Sequence, residues 1–110
     1  METLIQRYGI YWTNLDPTIG REVQKQRPCV VVSQNAANIA GMVVICPLTT
    51  SLHPAWAHRL QIKCAGKNAE IMPDQIRAVS IQRVGKLIGI LSKEDQHSLR
   101  NLLARLYTVT

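Results

Sequence analysis

Apolar positions in the first ninety residues come in short runs broken by turn residues. Gly9–Leu15 (GIYWTNL) reads as a strand ended by Asp16-Pro17, with Trp12 assigned to the core. Residues Thr18–Gln26 are polar and charged and read as a loop. Cys29–Ser33 (CVVVS) and Met42–Pro47 (MVVICP) are apolar and rich in β-branched side chains, so both predict buried strands. Between them, Gln34–Gly41 has room for one short helical turn. Thr49–Ala57 reads as a loop containing Pro54 and Trp56. His58–Cys64 alternates and puts Leu60 and Ile62 on one face. A turn at Ala65–Asn68 follows, then short strands at Glu70–Met72 and Gln75–Val79 around Pro73-Asp74, and Ile81–Leu87 extends the sheet.

The C-terminal segment has a different period. Ser92 followed three residues later by Asp95 has the form of a capping box. Leu99, Leu102, Leu103 and Leu106 then mark one helical face, with Arg100 and Arg105 off it. The pattern predicts one amphipathic helix of roughly four turns. Several short strands and one terminal helix make a small, strongly curved sheet or barrel capped by that helix. At 110 residues the chain has the length of a single domain, spanning 1–110. No apolar run approaches the ~20 residues that cross a bilayer. METLIQRYG has no apolar core before a small-residue cleavage site, so neither a membrane span nor a signal peptide is expected.

Charge adds a direction. Thirteen Lys and Arg against seven Asp and Glu give a formal net charge of +6, which points to a polyanionic partner. Cys29, Cys46 and Cys64 are widely spaced without a CxxC, and the first two sit in apolar runs. They read as small hydrophobes in a reducing cytoplasm rather than as a disulfide framework. His53, His58 and His97 lack a carboxylate at ligand spacing, so no metal and no cofactor is expected. The six glycines are scattered and form no phosphate loop.

Three segments carry candidate chemistry. Gly20–Pro28 places Arg21, Lys25, Arg27 and Glu22 between two strands, with Arg27 at the mouth of the CVVVS strand. A planar guanidinium there gives two parallel hydrogen bonds to a phosphate. Thr49-Thr50-Ser51 ends a strand with three hydroxyls, which hold a phosphate oxygen or satisfy a turn. Arg77 in Asp74-Gln75-Ile76-Arg77 alternates with Ile76 and faces away from the core. Taken singly, each has an ordinary reading as a solvated loop, a turn or an exposed strand arginine. Trp56 is a candidate to stack one base, although the aromatic platform of an RRM is absent.

Taken in order, these segments resemble the MazF/PemK family of toxins from bacterial toxin–antitoxin modules. The resemblance rests on Leu15-Asp16-Pro17-Thr18, Gly20 and Glu22, Arg27-Pro28 before an apolar strand, Asn38, Pro47-Leu48-Thr49-Thr50, and Asp74-Gln75-Ile76-Arg77. It implies an SH3-like β-barrel that forms a homodimer, with a C-terminal amphipathic helix. The activity implied is that of a sequence-specific, metal-independent endoribonuclease. The implied antitoxin partner has an acidic tail that covers the RNA groove. Arg27 and Thr49 match the family's catalytic Arg and Thr, and Glu22 an acidic position implicated in activity. Arg77 matches an Arg that PemK-type members use. Two departures stand out: Ser80 replaces a PemK-type Asp, and Arg21 replaces a PemK-type His.

On this reading the 2′-OH of single-stranded RNA attacks its own phosphorus, leaving a 2′,3′-cyclic phosphate and a 5′-OH. Arg27 stabilises the phosphorane, Thr49 adds a hydrogen bond and Glu22 is the candidate base. Lys25, Arg77, Thr50, Trp56 and His58 are the candidates to line the RNA groove. Two alternatives are a CcdB-like gyrase poison, which the tail Leu106–Thr110 argues against because it lacks Trp, and a non-catalytic barrel binding RNA or a peptide.

Overall fold

A computed structural model describes residues 4–15, 26–38 and 40–108, so Glu22 and Lys25 lie outside the described residues. Among the described residues seven strands and two α-helices follow in the order β1 (Gly9–Asn14), β2 (Gln26–Val31), α1 (Asn35–Asn38), β3 (Met42–Thr49), β4 (Leu60–Cys64), β5 (Lys67–Ile71), β6 (Arg77–Ser80), β7 (Val84–Ile90) and α2 (Lys93–Tyr107). Short 3-10 turns at Pro73–Gln75 and Ile81–Arg83 flank β6.

The strands form one antiparallel sheet in the order β4-β5-β3-β2-β1-β7, with β6 also on β3. β3 makes the sheet curl. Its first half, Met42–Ile45, pairs with β6, while Leu48 and Thr49 at its end pair with β5. One strand shared between two partners turns the sheet into a half-barrel, closed at one end by α2 and open between the edge strands β4 and β7.

The continuous apolar runs have a direct cause. Val30, Cys46 and Leu48 point into a core with Ile10, Ile62, Ile71, Leu91 and Leu99. Their neighbours Cys29, Val31, Val43 and Ile45 point into a second cluster with Tyr11 and Val79. The central strands are therefore buried on both faces and cannot alternate in sequence.

Several boundaries differ from the sequence-based expectation. The 65–68 turn contracts to Ala65-Gly66, and Lys67 and Asn68 belong to β5. Ile81–Arg83 is a 3-10 turn because the Ser80 side chain accepts the Gln82 N–H at 3.2 Å, which delays β7 to Val84. Pro73 starts the other 3-10 turn, so β6 begins at Arg77 rather than Gln75. In α2, Ser92 caps the Asp95 N–H at 3.1 Å, and Leu99 and Leu102 are buried. Leu106 is exposed instead of continuing the stripe, and the last turn is held by the Tyr107 hydroxyl, which donates to the Pro73 carbonyl at 2.8 Å.

Candidate functional site

Register brings the family-matching residues to one rim of the sheet. Arg27 pairs with Thr13, and Cys29 pairs with Pro47. Two residues outward from that second pair, on the same face of each strand, stand Arg27 and Thr49. Ile45, again on that face of β3, pairs with Arg77, and Thr49 pairs with Glu70. Arg27, Arg77, Thr49 and Glu70 thus share a face. The Arg27 and Arg77 side chains are exposed, and both guanidiniums act electrostatically on the Cys29 thiol. Arg77 donates to the Leu15 carbonyl at 3.5 Å. Thr49 Oγ1 accepts the Ser51 N–H at 3.0 Å, and its O–H can still donate elsewhere.

A cleft of about 400 Å³ adjoins this row. Trp12, Pro28 and Leu48 line it, and Arg27, Thr49 and Thr50 line it at the strand ends. Lys67 and Asn68 from the β4–β5 hairpin and Ile88 from β7 complete its walls. Trp12 was expected in the core, yet it is 37% exposed here. Trp12 follows Ile10 on the face opposite Tyr11 and Thr13; Ile10 packs in the core, but Trp12 stands further along, where that face opens into the cleft.

Behind the rim lies a charge network that the sequence did not suggest. Glu70 is fully buried, and four donors surround its carboxylate. The His53 backbone N–H reaches it at 2.5 Å, Arg59 Nη1 at 2.6 Å and Gln61 Nε2 at 2.6 Å, with His53 Nδ1 at 3.3 Å. Arg59 also donates through Nε to Asp74 at 2.8 Å. Burial pushes the Glu70 carboxyl up, but the hydrogen bonds from Gln61, His53 and Arg59 outweigh it and hold it down at about 2. One carboxylate thereby ties both ends of the loop between β3 and β4. A sequence signal existed: Glu70 is the one charge in an otherwise apolar Ala69–Met72, and buried charges are kept only when paired.

Trp56 and His58 stand in that loop rather than among the residues lining the cleft. His53 stacks on Trp56 at 3.8 Å, His58 stacks at 5.4 Å, and the Arg59 guanidinium lies 4.9 Å from its ring. A base stacking on Trp56 competes with these contacts. Asn38, part of the family resemblance, is buried; it bonds Ser33 and donates to the Ile5 carbonyl at 3.1 Å, tying down the N-terminal segment.

The three cysteines are free. Burial pushes the Cys29 thiol up to about 11 and Cys46 to about 12, which makes both poor nucleophiles. Among the described residues no group of three His, Cys, Asp or Glu side chains is arranged to hold a metal ion. No described helix is long and apolar enough to cross a membrane.

These features define a class: a small basic half-barrel, capped by one helix, with a cationic cleft at its rim. Residues 6–107 match the family of PemK-like, MazF-like toxins of type II toxin–antitoxin systems, and the chain belongs to that family. It is 26% identical to the endoribonuclease MazF9 of Mycobacterium tuberculosis over 91% of this chain and 93% of that protein. A MazE–MazF crystal structure from Deinococcus radiodurans has the same fold, with a TM-score of 0.82 at 19% identity, covering 98% of this chain and 100% of that one. An endoribonuclease from a mycobacterial species, solved with its cognate antitoxin, gives a TM-score of 0.75 at 19% identity over 94% and 93%.

Proposed function

We propose that this protein is a toxin that cuts single-stranded RNA at specific sequences without a metal ion and is held inactive by a cognate antitoxin. The observation that carries the reading is the meeting of Arg27 and Thr49 at the rim of a basic cleft in a chain of this family. In the reaction, the 2′-oxygen forms a bond to phosphorus as its proton passes to a base, and the P–O5′ bond breaks as the 5′-oxygen gains a proton. Arg27 neutralises the phosphorane oxygens, and the Thr49 hydroxyl donates to one of them. Arg77, on the same sheet face, adds a second positive charge. Glu22 is the proposed base; a guanidinium is a poor one because its pKa exceeds about 12. The products carry a 2′,3′-cyclic phosphate and a 5′-OH.

An open cleft with an exposed indole suits unpaired bases better than a duplex. The net charge of +6 favours both RNA and an acidic antitoxin tail. Lys25, Thr50, Trp56 and His58 remain candidate RNA contacts, and a homodimer in the cytoplasm is the expected working form.

The test is incubation with a long single-stranded RNA in EDTA beside Arg27→Ala, with mapping of the new ends. Discrete cuts bearing 5′-OH ends, absent with the variant, support the reading. A folded protein that cuts none of several diverse RNAs turns the assignment toward a binding barrel or a gyrase poison.

A further inference from the structure

The side of the cleft opposite Arg27 and Trp12 is built by the β4–β5 hairpin, which none of the family-matching residues includes. Its turn has two residues, Ala65 at φ 52° and Gly66 at φ 78°, closing on the Cys64–Lys67 pair. Two successive positive φ values make a tight, twisted hairpin turn, here with a non-glycine residue held in the left-handed region. Lys67 and Asn68 therefore stand on a strand, not on a free loop, and alternation separates their side chains: Lys67 lines only the first cleft, while Asn68 sits at the border it shares with a second. Both are exposed, and among the described residues neither side chain has a hydrogen-bond or ion-pair partner. A cleft lined by two cations and an exposed indole matches a strand in which phosphates alternate with bases. An acidic peptide uses the cations but leaves the indole and the Asn68 amide without a specific role. The second cleft that Asn68 borders, of about 690 Å³, is lined by both Lys63 and Asp95, so the cationic character belongs to the first cleft.

We propose that the β4–β5 hairpin is the second bank of the substrate cleft, where Lys67 holds an RNA phosphate other than the one cut and Asn68 reads a neighbouring base. The proposal rests on the ribonuclease reading but is tested through binding. A short 2′-O-methyl RNA of mixed sequence lacks the attacking hydroxyl, so its affinity is read without turnover. Lys67→Ala should bind it about tenfold more weakly, and the slope of log affinity against log salt should fall by about 0.7. Lys67→Arg should restore the slope. Asn68→Ala should keep the slope and lose the preference among RNA sequences. Both positions are exposed, and thermal melts should show all three variants folded.

An unchanged affinity and slope in Lys67→Ala overturns the proposal, as does a wild-type protein that binds none of these RNAs. A Lys67→Ala variant that loses binding to poly-glutamate but not to RNA also overturns it and assigns the hairpin to a protein partner. Lys67-dependent RNA binding without any cleavage upholds the hairpin and removes the ribonuclease reading instead.

Discussion

The buried Glu70 makes stability depend on acid in a predictable direction. Its carboxyl lies at about 2 in the folded chain against an ordinary value of 4.5. The unfolded chain therefore binds the proton more tightly, and stability falls as pH drops. The contribution is complete above the unfolded value and is lost progressively between roughly pH 5 and pH 2. At 1.36 kcal/mol per unit, the difference amounts to about 3 kcal/mol, a large share of the 5–15 kcal/mol typical of a domain. Urea unfolding across this range, beside Glu70→Gln, isolates the term, because the other carboxylates are common to both proteins. The wild type should lose about 3 kcal/mol more than the variant between neutral pH and pH 2. Parallel curves would show that the four donors around Glu70 do not hold its proton off, and the network described here would then be wrong.

Three further outcomes are expected. Arg59→Ala leaves the Glu70 carboxylate buried without its cation and should cost about 3–5 kcal/mol at neutral pH, measured by the same urea titration. Trp12→Ala should weaken binding of a single-stranded oligonucleotide by about 1–3 kcal/mol, the stacking of one base, as read by fluorescence anisotropy. A thiol reagent on the native protein should label Cys64 first and reach Cys29 and Cys46 only after unfolding, as mass spectrometry of the modified chain would show.

The apolar runs CVVVS and MVVIC located the central strands because burial on both faces leaves no room for polar residues. Ser92 and Asp95 located the start of α2 because a cap is a local interaction. Arg27 and Thr49 were legible through their order along the chain, and pairing then explains why residues twenty-two apart share a rim. The Glu70 network was not legible, since His53, Arg59, Gln61 and Asp74 converge only through the curl of β3 and the fold of the following loop. Trp12 was misassigned for a related reason. Alternation names two faces, but only the sheet's neighbours decide which of them is covered.

The pairing of β1 with β7 has a consequence for how the molecule comes into being. Gly9 meets Ile90, and the cleft needs both Trp12 from the first strand and Ile88 from the last. Contacts that far apart in sequence form slowly, because the intervening chain must be ordered before they stabilise anything. A ribosome that has released only the first eighty residues holds β1 to β6 but neither β7 nor α2, and so no finished cleft. The nascent toxin should therefore be harmless to the RNA that encodes it until almost the whole chain has been made.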